Sequence, residues 1–285
     1  MISLASVSFR YDNILDLSAT LNEYKIGWWL GLPATSGSKY FYNLFDLNHG
    51  TLTGFSTTSS GWWGSTRPGG YVGLKLNGNG DYVSVDDAIK FQFTNANFSV
   101  SCWFMLETLN NPDSNGRQTV VSRYESASSK GFSIDIDTTG SIIFRVAESA
   151  ILFGEYASDG STISINTWYH CLVVRQGIAS FVYLNGILVA SGTAASTLDI
   201  SSGSQNVLFG DMVTNGGAHQ YLKGYIDDVC IYNTSLTSYL GQRIFNESRT
   251  DYPTTLNKIY VNRAFPLAAP WLYFNMLQNA YGVTL

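Results

Sequence analysis

Apolar and polar residues alternate at every second position over most of the chain from about residue 70 onward. This period of two is typical of β-strands that bury one face. In the segment 98–104, apolar side chains occupy the even-numbered positions, and serines occupy positions 99 and 101. The pattern predicts a strand with its even-numbered face in a core.

Turn signals separate the predicted strands at short intervals. Asn185-Gly186 is the strongest of them, because this dipeptide accepts the positive φ angles of a two-residue hairpin turn. Other turns are predicted at Asp137–Gly140 and at Gln176-Gly177. The flanking strands are predicted at 131–137, 141–146, 168–175, 180–184, 187–190, 205–210 and 224–232. Many short strands with such spacing indicate a sandwich or barrel rather than alternating strands and helices.

A helix is predicted from Ser238, with Thr237 as its N-cap and an apolar stripe at Leu240, Ile244 and Phe245. Gly241 weakens this helix. Trp103 and Trp168 stand at strand starts, where we expect their large rings to bridge two sheets. The first 70 residues are rich in loops around a predicted strand at Trp28-Trp29.

Composition bears on the partners of the chain. Only 13% of the residues are charged, against about 25% in typical globular domains. A surface covered by Ser, Thr, Asn and Gly costs little to desolvate, which suits permanent contacts with other chains. The net charge of −5 and the absence of any basic run argue against a nucleic-acid partner.

Three cysteines, Cys102, Cys171 and Cys230, lie far apart in apolar stretches, and we expect buried free thiols. No window approaches the roughly 18 apolar residues of a membrane-spanning helix. The first residues lack a basic start followed by an apolar run, so a secretory signal is not expected.

Five blocks in order resemble the laminin-G-like (concanavalin A-like) jelly-roll family over about residues 28–248. They are DLNHGTL at 46–52, LNGNGDYV at 76–83, FSVSCWF at 98–104, WYHCLVV at 168–174 with YLNG at 183–186, and GYIDDVCIY at 224–232. The resemblance implies an all-β, two-sheet antiparallel jelly-roll sandwich. We expect an N-terminal arm at 1–27, the sandwich at 28–248 and an apolar C-terminal arm at 249–285.

The stretch NESRTDYPTTLNK at 246–258 resembles a short tail that follows such domains in some phage and environmental bacterial proteins. With the low charge, it favours a non-catalytic virion structural, decoration or appendage protein on the phage particle surface. Its partners would be other virion proteins or copies of itself. The alternative is an extracellular, lectin-like module that binds host glycans. Trp62, Trp63, Tyr71 and Tyr124 are the candidate side chains for stacking on sugars.

A glycoside hydrolase is the third and least favoured hypothesis. Retaining hydrolysis needs two carboxylates about 5 Å apart, and none of the six glutamates lies in an E-x-D-x-x-E arrangement. Asp135 and Asp137 share a face of one strand but adjoin a turn, where Asp is common. No G-x-S-x-G motif is present, and the histidines show no metal-ligand spacing. We therefore predict no enzymatic activity.

The resemblance also implies Ca²⁺ where the first loop meets the last strand. Asp46, Asn48 and Gly50 would supply oxygen ligands on one side, and Asp227 or Asp228 on the other. The alternative is that Asp46 and Asp227 cap turns by accepting hydrogen bonds from backbone amides.

The segment 262–277 carries eight large apolar side chains and a single charge, so it must be covered. It could fold back onto its own sandwich. It could instead dock on a second chain, with Phe265, Trp271 and Phe274 as anchors.

Overall fold

The computed structural model describes residues 21–30, 39–55, 63–68 and 72–249, apart from positions 22, 202, 204 and 215. At 63–66 and 72 it describes the backbone alone. The described part is a sandwich of two eight-stranded sheets in which all strand pairs are antiparallel. The predicted fold class is confirmed.

Sheet A has the strand order β14-β13-β12-β7-β16-β5-β4, and β1 pairs with the other half of β16. Its strands are β1 (Lys25–Trp29), β4 (Trp63–Thr66), β5 (Val72–Asn77), β7 (Phe98–Leu106), β12 (Tyr169–Gln176), β13 (Ala179–Leu184), β14 (Ile187–Thr193) and β16 (Lys223–Tyr232).

Sheet B has the strand order β11-β10-β9-β8-β15-β6-β3-β2. Its strands are β2 (Tyr40–Phe41), β3 (Gly50–Thr53), β6 (Tyr82–Val85), β8 (Arg117–Glu125), β9 (Lys130–Asp137), β10 (Ile142–Ala147), β11 (Phe153–Ala157) and β15 (Val207–Phe209). A 3₁₀ turn at Ile89–Phe91 follows β6.

The core lies between the two sheets and follows the alternation of the sequence. In β7, Phe98, Val100, Cys102 and Phe104 all belong to the core, as predicted. Phe98 stacks on Phe93, with ring centroids 4.4 Å apart, and meets Phe132 of sheet B at 5.0 Å. The three cysteines are buried and free, as predicted.

Helix α1 (Ser238–Ser248) covers part of the outer face of sheet A. Leu240 and Ile244 of this helix pack on a second apolar cluster, formed largely by β12, β13 and β16. Thr237 caps the helix, because its side chain accepts a hydrogen bond from the Leu240 amide. A Cβ atom at Gly241 would lie 2.4 Å from Leu172 Cδ2, so the glycine that lowers helix propensity permits the close approach of the helix to the sheet.

The prediction that Trp103 and Trp168 bridge the two sheets is wrong. Trp103 lies on the outer face of sheet A, where its ring is 5.8 Å from Phe245 and its Nε1 donates to Ser248 Oγ at 2.9 Å. Trp168 packs against Tyr225, with ring centroids 6.2 Å apart. Phe104 and Ile226 point into the core. Because successive side chains of a strand point to opposite faces, their neighbours Trp103 and Tyr225 lie on the outer face of sheet A.

His170 is buried beneath helix α1, where its ring lies against those of Trp103 and Phe245. Burial lowers the pKa of His170 to about 4, because a charged imidazole would lose its hydration there. Asp228 acts in the opposite direction and Arg67 in the same direction. The imidazole is therefore neutral near pH 7.

Candidate ligand-binding face

The outer face of sheet B differs in character from that of sheet A. At the β8–β11 end of the sheet it carries partly exposed aromatic and charged side chains. Phe153 is 42% exposed. Tyr124, Arg117, Arg145 and Glu155 are half-buried. This end of sheet B therefore presents chemistry that a ligand could contact.

One row of residues crosses four strands at this end. Tyr124 pairs with Gly131, Gly131 with Ala147, and Ala147 with Phe153. The two aromatic residues stand three strand spacings apart, or about 14 Å between their Cα atoms. Gly131 has a φ of +134°, and a Cβ there would lie 2.0 Å from the Arg123 carbonyl oxygen. The row therefore has large aromatic side chains at its two ends and the small residues Gly131 and Ala147 in the middle.

Arg145 fills the space between the two rings. Its guanidinium carbon lies 4.4 Å from the centroid of Phe153 and 5.8 Å from that of Tyr124. Such contacts place a cation over the electron-rich ring face. Gly131 and Ala147 are buried in the same row. We call the surface formed by Tyr124, Arg145 and Phe153 the Arg145 platform.

An ion pair adjoins the platform. Arg117 of β8 donates through Nη1 to Glu155 Oε2 at 2.9 Å and through Nη2 to Oε1 at 2.8 Å. The pair reaches across β9 and β10, on whose outer face Asp135 and Ile143 are 0% and 2% exposed. The hydrogen bonds from Arg117 hold the pKa of Glu155 below its usual range. Arg145 Nη1 reaches the same carboxylate only at 3.5 Å.

Both aspartates considered for catalysis, Asp135 and Asp137, accept hydrogen bonds from neighbouring groups of the chain. Thr119 Oγ1 and Ser133 Oγ each donate to Asp135 at 2.7 Å, and burial raises its pKa. Asp137 Oδ1 accepts from the backbone amides of Thr139 and Ser141 at 2.9 and 3.0 Å. Asp137 thus holds the β9–β10 turn, and Asp135 is closed off from solvent.

The first group of predicted calcium ligands forms its own network. Asp46 Oδ1 accepts from the Asn48 amide and from Asn43 Nδ2, both at 2.8 Å, while its Oδ2 pairs with Lys90. The Asn48 side chain donates to the Asp86 carbonyl oxygen at 3.2 Å. Gly50 begins β3. The turn-capping alternative describes the role of Asp46.

The second group is bound to an arginine. Arg67 Nε lies 2.5 Å from Asp227 Oδ2, and its Nη2 lies 3.3 Å from Asp228 Oδ2. Asp228 Oδ1 also accepts from Trp28 Nε1 at 2.7 Å. Because each carboxylate already has a cation beside it, the residues as they lie do not fit Ca²⁺. Among the described residues, no group of three or more His, Cys, Asp or Glu side chains could hold a metal ion.

Of the four side chains predicted to stack on sugars, the structure places Tyr124 on the platform. Trp63 lies in β4, of which only the backbone is described, while Trp62 and Tyr71 lie outside the described residues. The predicted anchors of the C-terminal arm, Phe265, Trp271 and Phe274, also lie outside them. Within the described part, no helix is long and apolar enough to cross a membrane.

Arg145 and Phe153 were not among the side chains predicted from the sequence to bind a ligand. The sequence did contain a signal for both residues. Arg145 interrupts the apolar run of β10 at an outward position. Phe153 begins β11, a short strand in which buried and more exposed positions alternate. What the sequence lacked was the register between β10 and β11, which sets Arg145 opposite Glu155 and Ala147 opposite Phe153.

Comparisons with known proteins place the fold among toxin binding domains. The binding domain of Paraclostridial Mosquitocidal Protein 1 superposes with a TM-score of 0.62 at 15% identity, covering 80% of this chain and 53% of that one. The binding domain of botulinum neurotoxin DC, solved in complex with rat synaptotagmin II, gives 0.60 at 15% identity, with 80% and 52% covered. That of botulinum neurotoxin serotype D gives 0.60 at 16% identity, with 81% and 52% covered.

The chain therefore spans about half the length of these structures, and identities this low show the fold alone. No curated protein matches the sequence. A family model described as the concanavalin A-like lectin/glucanases superfamily matches residues 77–239. The match covers more than half of the sequence, and the chain belongs to this superfamily.

Proposed function

We propose that the chain is a non-catalytic binding domain that takes a carbohydrate ligand on the outer face of sheet B. The observation that carries the proposal is the Arg145 platform, in which two aromatic rings flank a guanidinium on a partly exposed sheet face. Aromatic rings offer apolar surface to the C–H faces of sugars, and a guanidinium offers donors to their oxygens. Recognition sites combine apolar walls and a few placed polar groups in this way.

Apolar exposure beside the platform supports the same assignment. Ile151, in the turn between β10 and β11, is 93% exposed and lies two residues before Phe153. Large apolar side chains that remain exposed together on a protein surface commonly mark a contact site. On the opposite outer face, helix α1 instead covers an apolar cluster of sheet A.

A non-catalytic role fits the carboxylates on this face. Glu155 is held by two hydrogen bonds from Arg117, and Asp135 is fully buried. A glycoside hydrolase needs one carboxyl group that donates a proton and a second that attacks or activates water, both reaching the substrate. Neither residue is available for such a role.

A glycan array with a matched pair of variants tests the proposal. Wild-type chain is expected to bind a defined set of glycans, and Tyr124→Ala/Phe153→Ala is expected to lose that binding while it stays folded. Tyr239→Ala is the control, because Tyr239 is 62% exposed on helix α1, on the sheet A side. Equal binding by the double variant and the wild type, or no glycan bound by the wild type, would contradict the proposal.

A role in a virion is a second proposal, and it is compatible with the first. The low charge of the sequence and the predicted apolar arm at 249–285 support it. Arg67 contributes a further observation, because it binds both Asp227 and the Ser248 carbonyl oxygen and so fixes the end of helix α1 on sheet A. A partner that engaged the residues after this helix would leave the platform on sheet B free.

Co-purification of the full chain with intact phage particles, lost when residues 262–285 are deleted, would support this role. Absence of the chain from such particles would contradict it.

A further inference from the structure

We infer that the ligand of the Arg145 platform is an acidic saccharide, whose carboxylate is bound by Arg145. This inference rests on the proposed carbohydrate-binding function and names its ligand class. The observation behind it is an imbalance between the two arginines on this face. Arg117 is engaged at both ends of its guanidinium fork, whereas Arg145 is not.

The hydrogen-bonding partners of the two arginines define the imbalance. Arg117 makes both bonds to Glu155 at 2.8 and 2.9 Å and thereby offsets its charge. Arg145 has one contact to the same carboxylate, at 3.5 Å, which is the outer limit of a hydrogen bond. Its Nε is buried without a hydrogen-bond partner in the described part of the chain. Most of the donors of Arg145 are therefore not used by these residues.

The position of Arg145 makes its terminal nitrogens, though not the buried Nε, usable by a ligand. Its side chain is 21% exposed, and the rings of Phe153 and Tyr124 hold it from two sides. Holding the guanidinium in place reduces the side-chain entropy that binding would otherwise cost. A planar guanidinium binds a carboxylate through two parallel hydrogen bonds, which a neutral hydroxyl cannot reproduce.

The other carboxylates on this face lie toward Arg117. Asp135 pairs in register with Ile143, two residues along β10 from Arg145, and Asp137 pairs with Arg117 itself. Along the strands, these positions are displaced from the Arg145 row by about 7 and 13 Å. Asp135 is also fully buried. An anion that approaches from the side of Tyr124 and Phe153 therefore reaches Arg145 before it comes near these two aspartates.

Matched acidic and neutral saccharides test the inference by titration calorimetry. One pair is sialyllactose and lactose, and the other is a glucuronic acid oligosaccharide and its glucose counterpart, so that the two sources of a carboxylate are distinguished. The wild type is expected to bind one of the acidic forms at least about tenfold more tightly than its neutral partner, as charge-assisted hydrogen bonds allow. Arg145→Gln is expected to bind both forms of that pair equally.

Two further variants keep the test interpretable. Arg145→Lys retains the charge without the planar fork, and we expect it to bind the neutral form normally and to lose most of the preference for the acid. Arg243→Gln removes a partly exposed arginine from helix α1, where it pairs with Glu247, and should bind as the wild type does.

The inference would be overturned if Arg145→Gln still preferred the acid, or if the wild type bound acidic and neutral forms equally. Either result would leave the carbohydrate-binding proposal standing. Wild-type chain that binds none of these saccharides, nor any glycan on the array, would instead overturn both.

Discussion

Arg117 and Glu155 are joined by two hydrogen bonds across two intervening strands of sheet B. The pair engages both oxygens of the Glu155 carboxylate, which Arg145 Nη1 reaches only at 3.5 Å. It thereby sets which arginine is available to a ligand. The platform and the ion pair are linked, because Arg117 and Arg145 both contact the Glu155 carboxylate.

Removal of Arg117 should change both the titration of Glu155 and the affinity of the platform. Hydrogen bonds from Arg117 are the largest cause of the lowered pKa of Glu155, so Arg117→Gln should raise that pKa toward its ordinary value. The freed carboxylate should then draw Arg145 closer and weaken ligand binding several-fold. Carbon-detected NMR titration of the Glu155 carboxyl group measures the first effect. An unchanged pKa would show that Arg117 does not hold Glu155 in solution.

His170 predicts a loss of stability in acid. The unfolded chain takes up this proton near pH 6.5, whereas the folded chain does so only near pH 4. Stability therefore decreases as pH falls from about 6.5 to 4, by about 3 kcal/mol from this residue. His170→Phe should remove this part of the pH dependence while keeping an aromatic ring against Trp103 and Phe245. Urea unfolding of both proteins at pH 7 and pH 4.5 measures it, and identical pH dependence would refute the assignment.

The Arg67–Asp227 pair should be essential for stability, because both side chains are almost fully buried. Arg67→Met would leave Asp227 buried without its guanidinium, and breaking a buried pair in this way costs about 3–5 kcal/mol. The Arg243–Glu247 pair of helix α1 is the matched control, since it is partly exposed. Arg243→Met should change the free energy of unfolding by less than about 0.5 kcal/mol. Similar effects of the two substitutions would be inconsistent with the buried pair described here.

Calcium removal tests the predicted metal site. Because Asp46 pairs with Lys90, and Asp227 and Asp228 pair with Arg67, we expect excess chelator to leave the melting temperature unchanged. A ligand that binds only the folded chain would stabilise it by mass action. A melting temperature several degrees lower in chelator, restored by added Ca²⁺, would favour the site implied by the family resemblance.

The sequence predicted β7, β9, β10 and β12 to β16, because alternation and turn chemistry are local properties. Asn185, for example, adopts a φ of +51° in the predicted hairpin turn between β13 and β14. The even-numbered face of β7 is buried along its whole predicted length. Thr237 caps helix α1 where a hydroxyl before an apolar stripe predicted a cap. The sequence did not predict β8 or β11, the strands that carry Tyr124 and Phe153.

The candidate site was harder to predict because it depends on register between strands. Tyr124 and Phe153 are 29 residues apart in sequence, and three successive strand pairings place them in one row. The roles of Asp227 and Asp46 likewise depend on Arg67 and Lys90, which are distant in sequence and were not considered as partners. A pattern of residue types cannot show which carboxylates have a cation beside them.

Chemical-shift mapping of the wild-type chain, during titration with the saccharide that binds most strongly on the array, tests directly whether the ligand binds at the Arg145 platform. We predict that the largest amide shifts fall on β8–β11, at and around Tyr124, Arg145 and Phe153, with little change in helix α1. Shifts confined to the helix α1 side of sheet A, or to residues far from the platform, would contradict the assignment of sheet B as the ligand-binding face.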